Sequence, residues 1–302
     1  MGNTFILHMR DYLVANCLQY DDAIHVMVAQ RNAGKAFSLE NHIAGLVYAQ
    51  LTNQTKWSRI VPHLKEIDAL FFYYDPQRIK EKDSNYYTEG LFALKCGNIS
   101  TKAQMKNLHR NIETMERIIA AFGSMDAFVL SAPAYKIVEM LSSSKSEYKM
   151  HQLGEALAWE YIRNVGIDAC KPDTHLRRFL GNARMGRSAD AIASVEETIA
   201  QVEAISADTG LPLAVIDNII WSFCADGYGE VCTATPHCER CVVRHLCNSP
   251  ESKRATNIPS ISYAEIRSIC SRLDNDPQKI GQYFIDLLMY NPELTSTSKT
   301  SG

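Results

Sequence analysis

An excess of positive charge is missing from this chain. Its 302 residues carry 31 Lys and Arg against 34 Asp and Glu, a formal charge of −3, with a pI near 6.3. That balance excludes capture of a polyanion by a field spread over the whole surface, so any contact with phosphate must be local. Long apolar runs are missing too. The longest, around Ala44 to Ala49, is too short to cross a bilayer, and the first residues lack the basic, apolar and cleavage regions of a secretion signal. No membrane partner is expected. The nine cysteines are odd in number and bunched in one place, which speaks against a disulfide framework and for a reducing compartment. An intracellular location follows as an expectation: cytoplasm or nucleoid, or the nucleus in a eukaryote.

What is present is helical. With 46% hydrophobic residues over this length, the chain has material for more than one core and is expected to form two lobes. Residues 1–36 read as one or two short helices or an extended lead-in. Ser38 can cap a helix whose apolar stripe is Ile43, Leu46, Val47 and Leu51. Ser100 to Phe122 reads as one amphipathic helix with Lys102, Lys106, Arg110 and Arg117 on its polar face, either solvated or touching phosphate. Met125 to Met140 is helical with a break near Pro133. Ala189 to Ser206 and Leu211 to Cys224 are further helices. Tyr73-Tyr74 and Tyr86-Tyr87 read as packing before base stacking. Beyond residue 250, Tyr263 to Leu273 and Asp276 to Tyr290 read as helices and Thr295 to Gly302 as disordered. The expected class is all-α with short loops.

Two stretches carry chemistry. From Met150 to Arg178 the chain reads MHQLGEALAWEYIRNVGIDACKPDTHLRR. Gly154 is expected to take the positive φ of a sharp helix-to-helix turn, with Ala156 to Trp159 restarting a helix behind it. Backbone N–H groups at such a turn, with the positive end of the next helix, make a phosphate clamp that needs no lysine. Pro172 ends the following loop, and Asp173 opens another helix as its N-cap. Further on, Cys232, Cys238, Cys241 and Cys247 form a C-x5-C-x2-C-x5-C run. Four soft ligands so close together point to one inorganic centre, either zinc or an iron–sulfur cluster. Cys17, Cys96, Cys170, Cys224 and Cys270 are scattered and read as core thiols.

In these residues the chain resembles the helix-hairpin-helix DNA glycosylases of the endonuclease III superfamily. Their hairpin has the form L-P-G-V-G and precedes a V-D-T-H segment; here the two read Met150-His151-Gln152-Leu153-Gly154 and Pro172-Asp173-Thr174-His175, with Gln152 where the first glycine stands. Their cysteine run has one residue more in its first gap and holds a [4Fe-4S] cluster, so the resemblance implies that cluster ahead of zinc. It also implies a barrel-like helical domain over 37–166 and a cluster domain from 1–36 and 167–249; residues 250–302 fall outside the family's pattern and read as a helical extension that could meet a protein partner. Tyr48-Ala49-Gln50-Leu51-Thr52 matches the family's S-A-Q-A-T segment, which makes Gln50 the wedge left in the duplex where a base has flipped out. His151, Gln152, Leu153, Gly154, Ala156 and Arg177 would meet DNA, and Asp173 would be the catalytic carboxylate.

Two absences then narrow the chemistry. The lysine that forms a Schiff base in bifunctional members lies two residues after the second hairpin glycine, where this chain has Ala156; the glutamate of the adenine-excising branch lies four before the wedge, where it has Leu46. The expected function is hydrolytic release of a modified base from double-stranded DNA, without strand cleavage. The alternatives are a non-catalytic DNA-structure or damage-binding protein on the same fold, and a zinc protein that binds another protein through 250–302.

Overall fold

The computed structural model describes residues 4–251, apart from 17, 19–21 and 54, together with 270–271 and 275–281. Every regular element among them is helical. The helices are α1 (Phe5–Ala15), α2 (Asp22–Asn32), α3 (Leu39–Leu51), α4 (Leu64–Leu70), α5 (Pro76–Lys80), α6 (Ser84–Ala93), α7 (Thr101–Lys106), α8 (Leu108–Phe122), α9 (Met125–Val129), α10 (Ala134–Ser142), α11 (Glu155–Asn164), α12 (Thr174–Phe179), α13 (Val195–Thr209) and α14 (Leu213–Cys224). None among the described residues is long and apolar enough alone to cross a membrane.

Two large apolar cores divide these helices. The first is organised on α3, whose stripe Ile43, Leu46, Val47 and Leu51 is fully buried, and it gathers side chains from Ile43 to Ala169. Ser38 caps α3 in a reciprocal box with Asn41. Gly45 lets α3 meet the end of α11 closely, since a Cβ there would stand 2.9 Å from Val165 Cγ1. The second core surrounds α14, with Phe5, Ile6, Met9 and Leu13 of α1 on one side and Leu176, Phe179, Val202 and Ile205 of α12 and α13 on others. The chain thus starts in the second core, builds the first, and returns. Helix α2 bridges them, with Ile24 and Val28 against Ala214.

A buried polar staple fixes that bridge. Arg31 of α2 donates to Asp126 Oδ1 at 2.6 Å and to the Val165 carbonyl at the end of α11. His42 Nδ1 lies 2.7 Å from Tyr161 Oη, and burial pushes the His42 imidazole down to about 4.

Several boundaries differ from the sequence reading for local reasons. Ser100 to Phe122 forms two helices, because Asn107 turns its amide back onto the Ala103 carbonyl and leaves helical geometry. The helix expected from Ala189 begins at Val195, where Ser194 and Glu197 form a capping box; Glu197 also takes the Ala189 N–H and holds the preceding loop. Before α4 the chain makes two short 3-10 turns, Trp57–Arg59 and Val61–His63, and after it a third, Phe72–Tyr74. The helices expected beyond 250 and the Ser/Thr-rich end lie outside the described residues, apart from 270–271 and 275–281.

Candidate active site and cysteine cavity

The loop between α10 and α11 is built by side chains that no motif marked. Asn111 of α8 accepts the His151 N–H at 2.6 Å and donates to the His151 carbonyl at 2.9 Å. Lys149 Nζ donates to the carbonyls of Leu153, at 2.8 Å, and Ser142. The turn differs from expectation in its dihedrals. Gly154 is extended, with φ −78°, and it is Gln152 that takes the left-handed backbone, with φ 56°. The left-handed residue of this turn therefore carries a Cβ, and the Asn111 and Lys149 hydrogen bonds hold it against a strain of order 1 kcal/mol. A Cβ on Gly154 would meet open space, so neither dihedral nor packing demands glycine there. Gln152, Gly154, Glu155 and Ala156 are exposed, and the N–H groups of Glu155 and Ala156 have no partner among the described residues.

The other proposed contacts separate. His151 is half-buried, while Leu153 is wholly buried in the first core and anchors the turn from inside. Arg177 donates to the Ala193 carbonyl at 2.8 Å and clips the loop before α13; its neighbour Arg178 lines the cleft. Gln50, expected as an exposed wedge, has no accessible surface, and both its amide atoms lack hydrogen-bond partners among the described residues. A buried unpaired amide costs roughly 1–3 kcal/mol. Gln50→Leu, which keeps the volume and removes the amide, should therefore raise unfolding stability by about 1 kcal/mol or more. Denaturant melts with unchanged m-value check this; a less stable variant would show that the amide is satisfied in solution.

Asp173 lies where the two cores meet. It caps α12, accepting the N–H groups of His175 at 2.8 Å and Leu176 at 3.1 Å, and it lines a cleft of about 540 Å³. Aromatic walls come from Tyr48 and Trp57 on one side and Trp221 and Tyr228 on the other, the last two packed edge to face at 4.7 Å. The deep end is ionic. Arg163 Nη1 stands 3.2 Å from Glu160 and 3.5 Å from Asp217, its Nη2 donates to Asn218 Oδ1 at 2.6 Å, and Lys171 Nζ lies 3.3 Å from Glu160. Despite burial, Lys171 and Arg163 hold the Glu160 carboxyl below its usual range. Burial lowers His175 against the pull of Asp173. Sequence reasoning missed Glu160, Arg163, Asp217 and Asn218, although polar pairs inside apolar helices were a signal: Asp217-Asn218 interrupts LAVI and IIWSFC.

Ala156 offers no amine and lies on the exposed hairpin, outside the cleft lining. Lys171 and Lys56 line the cleft, whereas Lys149 is occupied with backbone carbonyls.

Cys232, Cys238, Cys241 and Cys247 all line one small cavity behind Phe179, together with Arg184 and Arg244. No three His, Cys, Asp or Glu side chains among the described residues converge tightly enough for a single ion. Arg184 is buried and donates to Cys232 Sγ at 2.9 Å and to the carbonyls of Cys232, Thr233 and Ala234. A hydrogen bond from Cys224, with Arg184 nearby, draws the Cys232 thiol down to about 6, while burial pushes Cys241 up to about 12. Cys96, Cys170 and Cys224 are buried, Cys270 is half-buried, and Cys17 lies outside the described residues.

No protein-family model, curated protein or solved structure matches this chain.

Proposed function

We propose that the protein is a monofunctional DNA N-glycosylase of base-excision type, on a two-lobed helix-hairpin-helix architecture. The observation that carries this reading is Asp173: a carboxylate at a helix N-terminus, bordering a cleft with aromatic walls whose volume suits a flipped nucleobase. Breaking an N-glycosidic bond builds positive charge on the deoxyribose, and a fixed carboxylate stabilises that charge and orients the attacking water. Aromatic rings stack an extruded base of any identity. The exposed hairpin offers the free N–H groups of Glu155 and Ala156 to a phosphate, with Gly154 leaving the backbone open to approach. Local contacts of this kind suit a chain without net positive charge.

The cysteine cavity belongs to the same proposal as the place of a [4Fe-4S] cluster. Four thiols lining one cavity, with the buried cation Arg184 beside Cys232, fit a cysteine-ligated cluster that carries net negative charge. Such a group would supply structural cross-linking to the end of the second core.

A panel of duplexes, each with one modified base and scored for abasic sites, tests the reading. Base release supports it; tight binding to distorted or damaged duplexes without release would instead favour a damage-binding protein. Release should stop at the abasic site. Lys149 is tied to carbonyls, Lys171 is paired with Glu160, and Lys56 faces Asp226 at 3.8 Å, so each amine near the cleft already has a partner. Borohydride should trap no covalent adduct, and strands should break only after alkali. An adduct that disappears in Lys171→Ala would overturn the monofunctional assignment.

A further inference from the structure

We propose that Asp217 is the acid that protonates the departing base, a role that rests on the glycosylase reading above. The one glutamate of α3, Glu40, is exposed in its first turn and does not line the cleft, and Leu46, at the place of the adenine-excising branch's acid, is fully buried. Asp217 comes from the opposite core, in the middle of α14, and borders the same cleft as Asp173. Its Oδ2 accepts the Lys171 N–H and faces Arg163 Nη1 at 3.5 Å, while Oδ1 forms no hydrogen bond among the described residues. Lys171 precedes Asp173 by two residues, so this contact sets the two carboxyl groups on either side of one short loop.

A carboxyl buried among apolar helices favours its neutral form unless a cation compensates. Arg163 is the nearest cation, but it is shared among Glu160, Asn218 and Asp217. Lys171 directs its ammonium to Glu160. Asp173 adds negative charge from the mouth of α12, and Cys170 lies alongside. α12 brings His175, edge-on to Trp221, and Arg178 to the same cleft, and the remaining helices against α14 bring apolar side chains: Phe5, Ile6, Met9 and Leu13 from α1, Ile24 and Val28 from α2, and Val202 and Ile205 from α13. Burial outweighs Arg163 and pushes the Asp217 carboxyl up to about 7. The neutral acid is thus present below that pH and lost above it.

The step balances without an oxidant or further reactant. The bond between C1′ and the base nitrogen breaks, and its electron pair stays with the base. The proton of Asp217 moves to a ring nitrogen of that base. Water forms the new bond to C1′, its surplus proton passes through Asp173 to solvent, and Asp217 recovers a proton from solvent. One water is consumed, and the products are a neutral base and a hemiacetal sugar.

The alternative, that Asp217 only anchors the Lys171 N–H, is separable because Asp217→Asn keeps an oxygen acceptor there and removes the acid. Single-turnover base release is measured between pH 5.5 and 8.5 on duplexes with one uracil, hypoxanthine, 8-oxoguanine or 7-methylguanine. For the fastest-released of the first three, wild-type rates should fall as pH rises through about 7, and Asp217→Asn should be about 100-fold slower at pH 6 with that fall removed. A variant that keeps the rate, or keeps the fall, overturns the acid role and leaves the glycosylase reading standing. So does release confined to 7-methylguanine, which departs without needing a proton. Release of none of the four removes both readings. Should Asp217→Asn not fold, the carboxyl 13C shift of Asp217 in the wild-type protein decides: an ionised carboxylate at pH 6 overturns the proposal.

Discussion

Asp173→Asn should slow base release by about 100- to 1,000-fold while leaving binding to an abasic duplex within a few-fold of wild type. Asparagine caps a helix as well as aspartate does, so the hydrogen bonds to the His175 and Leu176 N–H groups survive and α12 keeps its place. What disappears is the negative charge. Ground-state contacts hardly use it, whereas the oxocarbenium-like transition state depends on it, so the loss falls on the chemical step and not on binding. Asp173 also neighbours Glu160, Asp217 and two cations, and its replacement redistributes that field. Single-turnover kinetics beside equilibrium binding separate the two effects. Equal rates for wild type and variant would remove Asp173 from catalysis, and parallel loss of rate and binding would recast it as a structural cap.

The sequence revealed the helices by their apolar period, and the first core formed on the stripe predicted for α3. It did not reveal where helices start and stop, because those ends are made by side chains acting over three or four residues: Asn107 on the Ala103 carbonyl ends α7, and Ser194 with Glu197 opens α13. The second of these is an S-x-x-E signature, a local pattern that a sequence can show. Asp173 was legible as a cap beside a turn, and the cleft it borders joins it to residues far apart in sequence. Tyr48, Glu160, Asp217 and Trp221 converge only after α3, α11 and α14 have packed, so no local pattern could group them. Gln50 shows the converse. Its motif position predicted an exposed wedge, yet packing of α3 against the helices around it, with Gln104 donating to its carbonyl at 3.1 Å, closes the site in the free protein.

Cys241→Ser should abolish the broad absorbance near 400 nm expected of the purified protein and lower stability by about 5 kcal/mol or more, given that a complete structural metal centre contributes roughly 10 kcal/mol. The reason lies in how little else holds the end of the second core. From Ala225 to Ser249 the chain has no α-helix, only 3-10 turns at Cys238–Arg240 and Arg244–Leu246. Val231, Cys232 and Val243 are nevertheless buried in that core, so the segment must be held from outside its own backbone ladder. The Gly229 and Val231 N–H groups tie its first residues to the Ser222 and Phe223 carbonyls, Arg184 tethers Cys232, Thr233 and Ala234, and the cofactor proposed for the cysteine cavity would hold the remainder. Thr233 and Ala234 also line the cleft, so freeing this segment should reduce base release along with stability. Cys96→Ser is the control, since Cys96 is a buried thiol of the first core, far from the cavity lining. Visible absorbance, iron content, thermal melts and limited proteolysis of 225–251 read the result. A Cys241→Ser protein that keeps its colour and melting temperature while Cys96→Ser does not would place the inorganic centre elsewhere, and stoichiometric zinc without iron in the anaerobically purified wild type would replace the cluster with a single ion.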